Sequence, residues 1–155
     1  MNSLTHEQMQ SILNNVMIGT TSQMANIDLK NQEFSLSDDL CTVNMMFAGN
    51  CEVTISLYAD KSFLVRLTQE VLQEQEVTAE DVEDTAKEYL NVICGHLTRE
   101  LFPLVNRPTK LSFPSFQNGR HTLDKETQYS CELYYINKDK DGVLLVLELS
   151  MHPNE

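Results

Sequence analysis

The chain has 155 residues, 41% of them apolar and 22% charged, with a formal net charge of −12 at pH 7. That length suits one domain over residues 1–155, able to bury a core without staples. The acid excess argues against nucleic acid and against anionic lipid as partners, because both call for clustered Lys and Arg.

The amino terminus, Met1 to Glu7, has no basic segment followed by an apolar run, so no secretory signal is expected. No stretch approaches the roughly 20 apolar residues of a membrane span. The expected setting is the cytoplasm. Thr5, with Gln8 three residues on, forms a capping box for a first helix over Thr5–Met17, where Met9, Ile12, Leu13, Val16 and Met17 recur at helical spacing. Thr20 to Gln23 then reads as a polar break. From Cys41 the period changes to two: Cys41, Val43, Met45 and Phe47 alternate on one side of Gly49-Asn50, and Val53, Ile55 and Leu57 on the other, which predicts a β-hairpin.

Asp60 or Ser62 opens a second helix with Phe63, Leu64, Leu67, Val71 and Leu72 as its apolar stripe. Thr78 and Asp81 form a second capping box, and the acidic run Glu80, Asp81, Glu83, Asp84 suits the positive end of a helix dipole. This third and longest helix is expected to run to Phe102, stopped by Pro103. Strands return with Leu111, Phe113 and Phe116, then Cys131–Ile136, a polar turn at Asn137–Gly142, and Val143–Met151. Val143–Leu147 is apolar on both faces, the mark of a strand inside a sheet or against a second subunit. The order helix, two strands, two helices, three strands predicts an α+β domain, a mostly antiparallel sheet with the helices on one side.

Turning each residue of the long helix by about 100° separates two faces. Val82, Ala86, Tyr89, Leu90, Ile93, Leu97 and Leu101 share the side expected to be buried. Opposite them lie Asp84, Glu88, Asn91 and Gly95, a stripe of about 16 Å at ~1.5 Å per residue. A helical glycine costs roughly 0.5–1 kcal/mol relative to alanine, so Gly95 either packs closely against another element of its own domain or leaves room for a partner's backbone. Asn91 is also a poor helix former. Each polar member taken alone is equally a solvated side chain, with Lys87 and Arg99 near Glu88; taken together they mark a surface under functional constraint.

The run from Asp84 through Glu88 and Asn91 to Gly95 resembles the signature helix of the CheX/CheC chemotaxis phosphatases: an acidic or Ser residue, then ExxN, then a small residue. The order of elements and the length resemble that family over the whole chain. CheC-type members carry two such helices, whereas one is found here, since Glu7 is followed at Gln10 by the wrong amide; this points to the CheX branch. The resemblance implies several things. The chain would hydrolyse the phospho-aspartate of a CheY-like response regulator. Asn91 would orient the attacking water without adding negative charge beside a phosphoryl group. Glu88 would pair with the regulator's active-site lysine, and Asp84 and Gly95 would serve docking. The chain itself would bind no cofactor, Mg²⁺ coming with the regulator, and it would form a homodimer.

Other chemistries find no support. His6, His96, His121 and His152 are scattered, with no HExxH, P-loop, GxGxxG or GxSxG. Asp139 and Asp141 faintly suggest calcium but lack the later Glu of an EF-hand and read as a hairpin turn. Cys41, Cys51, Cys94 and Cys131 include no CxxC and read as reduced core thiols, a Cys41–Cys51 cross-strand bridge being the alternative in an oxidising compartment. A non-catalytic binding module on the same scaffold, as in the flagellar switch, is the competing function, and a small-molecule sensor a third.

Overall fold

The structure, a computed structural model, describes residues 5–48, 51–105, 110–122, 127 and 129–151. In chain order the elements are α1 (His6–Ala25), β1 (Lys30–Asn31), β2 (Leu40–Ala48), β3 (Cys51–Asp60), α2 (Lys61–Leu72), α3 (Ala79–Val105), β4 (Lys110–Leu111), β5 (Ser115–Asn118), β6 (Tyr129–Ile136) and β7 (Gly142–Met151). The strands form one antiparallel sheet in the order β1-β6-β7-β3-β2-β4, with β5 also on β2.

The local signals act as read. Thr5 and Gln8 exchange reciprocal hydrogen bonds of 2.9 and 3.1 Å at the start of α1. The hairpin β2–β3 pairs Cys41 with Ala59 and Ala48 with Glu52; the Gly49-Asn50 turn itself lies outside the described residues. This register rules out the Cys41–Cys51 bridge, because the two residues begin neighbouring antiparallel strands and stand at opposite ends of the ladder.

Three boundaries differ from the sequence reading, each for a physical reason. First, α1 continues through Thr20–Gln23 to Ala25. Thr20 and Thr21 are buried, and the Thr21 hydroxyl donates to the Met17 carbonyl at 2.6 Å, so the helix interior satisfies it. Asn26, with φ of 54°, then ends the helix in the left-handed region. Second, α3 passes Pro103 and ends at Val105; a proline forfeits one backbone bond, but its fixed φ is already helical. Third, the edge beside β2 is built from two short pieces, β4 and β5. Phe113 between them is 93% exposed instead of lying in a strand core. The two-residue β1 is likewise held only by pairing with β6. Asp60 does precede α2, but its carboxylate accepts from the Ser37 and Gly142 amides (3.1 and 2.7 Å) instead of capping the helix. Leu72, expected in the apolar stripe of α2, is exposed.

The period-2 strands sort their side chains as expected. Val43, Met45, Ile55, Leu57, Cys131, Leu133, Val143, Leu145 and Leu147 join residues of all three helices in one core on the inner face. Leu144 and Val146 point the other way, into a smaller cluster with Leu40 and Tyr58, packed by Leu36 and Tyr134. β7 therefore lies inside the sheet, and the chain itself covers both its apolar faces without a second subunit.

Candidate functional site

The site depends on α3, and α3 is fixed at its start. The Thr78 amide donates to Asp81 Oδ2 and the Asp81 amide to Thr78 Oγ1, both at 3.0 Å, while Glu80 and Asp81 lie in the first turn. One side of the helix is a continuous apolar wall: Ala86, Tyr89, Leu90, Ile93, Cys94 and Leu97 are fully buried and Val82 nearly so. This is the side the periodicity selects, except that Leu101 lies outside the described side chains. Burying that many apolar groups, at roughly 1.5–3 kcal/mol for each large one, holds α3 down on the sheet.

The opposite side presents the stripe. Asp84, Glu88 and Asn91 are exposed and Gly95 is half-buried. Among the described residues none of the three polar side chains has a hydrogen-bond or ion-pair partner. The nearby cations are engaged elsewhere: Lys87 Nζ pairs with Glu83 at 2.9 Å, and Arg99 contacts His96. Glu88 is thus left as an unpaired carboxylate one turn before an unpaired amide. A Cβ built on Gly95 meets nothing within 4 Å. Close packing within the domain therefore does not explain this glycine, which leaves a notch in the stripe. Beside it the Thr98 hydroxyl folds back onto the Cys94 carbonyl at 2.6 Å.

The other candidate centres are occupied by structural bonds. The Asp141 carboxylate accepts from Ser62 Oγ (2.6 Å), Arg66 Nε (2.8 Å) and Asn137 Nδ2 (3.0 Å). Asn137 Oδ1 in turn accepts from the amides of Asp139 and Asp141, with Lys140 at φ 65° completing a hairpin turn. Burial alone would push the Asp141 carboxyl up, but these three donors and the Arg66 charge outweigh it and hold it below its ordinary value. Among the described residues no group of three His, Cys, Asp or Glu side chains is placed to hold a metal ion, and no helix is long and apolar enough to cross a membrane. Cys41, Cys94 and Cys131 are free and buried, and burial pushes the Cys94 thiol up to about 12. A cleft of about 270 Å³ between the end of α1, α2 and the β6–β7 turn is lined by none of the stripe residues.

One contact has no signal in the sequence. The Tyr89 hydroxyl, at the centre of the buried wall, meets Thr21 Oγ1 of α1 at 2.6 Å. Periodicity identifies Tyr89 as core, but nothing local reveals a partner 68 positions away.

Comparison with known proteins bears on this arrangement directly. No curated protein matches the sequence. The crystal structure of CheX from Vibrio vulnificus superposes with a TM-score of 0.78 at 15% identity, covering 96% of this chain and 100% of that one. The CheX-CheY-BeF3-Mg+2 complex from Borrelia burgdorferi gives a TM-score of 0.74 at 14% identity, covering 91% and 97%. Thermotoga maritima FliY gives 0.65 at 15% identity, covering 96% and 92%. Identities this low establish the fold alone. The family model described as "Chemotaxis phosphatase CheX" matches residues 41–137, well over half of the chain and from β2 through the whole of the motif helix. With its antiparallel sheet, its one long helix and its outward ExxN stripe, the chain belongs to the CheX family of chemotaxis phosphatases.

Proposed function

We propose that this protein accelerates hydrolysis of the phospho-aspartate on a CheY-like response regulator. The observation that carries the proposal is the pair Glu88 and Asn91: exposed, one turn apart, unpartnered among the described residues, on a helix whose far side is fully buried. Asn91 orients the attacking water. Its carboxamide both donates and accepts hydrogen bonds and carries no charge to be repelled by the phosphoryl group. Glu88 pairs with the regulator's active-site lysine and fixes the register, while Asp84 and the notch at Gly95 take up the ends of the contact. The regulator supplies the phosphoryl group together with its Mg²⁺, so the chemistry asked of this chain is positioning. Support comes from the family and from the fold shared with the CheX-CheY-BeF3-Mg+2 complex.

Because the fold alone does not fix the chemistry, the second reading is a module on the same scaffold, which the FliM middle domain from H. pylori also shares, that binds a receiver domain without hydrolysing its phosphate. Mixing the protein with phosphorylated CheY-like regulators and following phosphate release separates the two. Acceleration by the wild type, with Glu88→Ala weakening the complex by about tenfold (about 1.4 kcal/mol), supports the phosphatase. Binding without acceleration supports the module. The homodimer implied by the family is part of the same proposal; a scattering mass near 17.7 kDa at micromolar concentration would refute it.

A further inference from the structure

The roll of α3 about its own axis decides where Glu88 and Asn91 point, and few directional contacts fix that roll. Lys87–Glu83, Thr98–Cys94 and Arg99–His96 all stay within the helix. Among the described residues the Tyr89–Thr21 bond is the one hydrogen bond or ion pair joining α3 to another element. Thr85, one turn before Tyr89, is also buried but makes no hydrogen bond to another element among the described residues. The rest of the buried wall is apolar packing, which resists separation but is non-directional.

The direction of this bond follows from counting protons. The Thr21 hydroxyl has one hydrogen and gives it to the Met17 carbonyl at 2.6 Å, so at the second contact, also 2.6 Å, the Tyr89 hydroxyl must donate. The relay Tyr89 to Thr21 to Met17 thus ends on the α1 backbone, a rigid anchor. The Tyr89 ring is fully buried and tilted against Phe63 of α2, with centroids 6.2 Å apart, which limits where its hydroxyl can go. Burial pushes the phenol far above its usual range, so it remains a donor at any physiological pH.

We infer that Tyr89 is a positioning residue for the proposed reaction: through Thr21 it locks the roll of α3, and with it the aim of Asn91 on the opposite side. The leverage is large. At about 100° per residue, Tyr89 and Asn91 lie about 160° apart around the axis. A roll of about 10° moves a group at a radius of about 5–6 Å by about 1 Å. A misplacement of about 1 Å can cost as much as about 100-fold in rate.

This inference rests on the phosphatase reading, and its test is built so that the two can fail separately. Tyr135 is the control: it is equally buried and its hydroxyl donates to Asn14 of α1 at 2.6 Å, but it ties α1 to β6 and not to α3. Rates of phosphate release are measured against concentration of phosphorylated CheY-like regulator. Tyr89→Phe is expected to lower the maximal rate by about tenfold and to leave the half-saturating concentration within about twofold. Thr21→Val should reproduce that loss, Thr21→Ser should keep wild-type activity, and the Tyr89→Phe/Thr21→Val pair should be no worse than either single change. Tyr135→Phe should change neither parameter. Full maximal rate in Tyr89→Phe, or parallel losses in Tyr89→Phe and Tyr135→Phe, would overturn the inference. If the wild type speeds no hydrolysis, the phosphatase reading falls, and relaxation dispersion on α3 amides of the isolated protein decides. Exchange in Tyr89→Phe but not in Tyr135→Phe sustains the positioning role; its absence in Tyr89→Phe overturns it.

Discussion

Two polar clusters on this protein have similar composition and opposite circumstances. Around the β6–β7 turn, Asp141, Asn137, Ser62 and Arg66 satisfy one another. Along α3, Asp84, Glu88 and Asn91 satisfy nothing in the described chain. The first cluster ties α2 to the hairpin and is used up by the fold. The second costs helix propensity and returns no intramolecular bond, which is what a surface reserved for another molecule looks like.

Substitutions can break or sharpen this contrast. The largest effect on stability is expected at Asp141. Asp141→Ala strips three donors of their shared acceptor and should cost about 2 kcal/mol, lowering Tm by about 4–8 °C for a chain of this size. Once folded, the variant should still speed regulator dephosphorylation, since Asp141 lies outside the stripe. Gly95→Ala should act in reverse. Its added Cβ meets open space, so helix propensity alone should raise stability by about 0.5–1 kcal/mol, read by urea unfolding, while the complex with a CheY-like regulator weakens as the notch fills. A Gly95→Ala protein that is more stable and binds unchanged would remove Gly95 from the contact.

The smallest effect is on pH dependence. Asp141 has a folded-state pKa below its unfolded value, so its contribution is complete above the ordinary carboxylate pKa, near 3.9, and is lost as pH falls through the lower folded value. The stability gap between wild type and Asp141→Asn should therefore be constant from about pH 6 to 8 and narrow only below about pH 4. A gap that widens on acidification would show that the hydrogen bonds do not favour the ionised carboxyl.

What can be read from the sequence follows the range of the interactions. Both capping boxes, the alternating strands and the two faces of α3 depend on neighbours a few residues apart, and all three are legible. The extension of α1 through Thr20 and Thr21 is not, because both are buried only in the folded domain, where Thr21 meets Tyr89 of α3. Nor are β1, β4 and β5, which exist by pairing with distant strands and carry little pattern of their own. Pro103 misleads because it breaks one bond without breaking the helix. The two-faced apolarity of Val143–Leu147 is legible, but what covers its second face is set by Leu40, Tyr58 and Leu36, far away in the chain. For the site, the spacing of Asp84, Glu88, Asn91 and Gly95 is local and legible. The empty space around Gly95 and the engagement of Lys87 with Glu83 instead of Glu88 had to come from the fold.

The most direct measurement concerns the amide at Asn91. Phosphate release from a phosphorylated CheY-like regulator is followed with wild type and with Asn91→Ala, alongside the affinity of each for the regulator. Wild type should speed release, and Asn91→Ala should abolish the acceleration while still forming the complex, with stability within about 0.5 kcal/mol of wild type. Undiminished acceleration by Asn91→Ala would contradict the role of the helix stripe in hydrolysis.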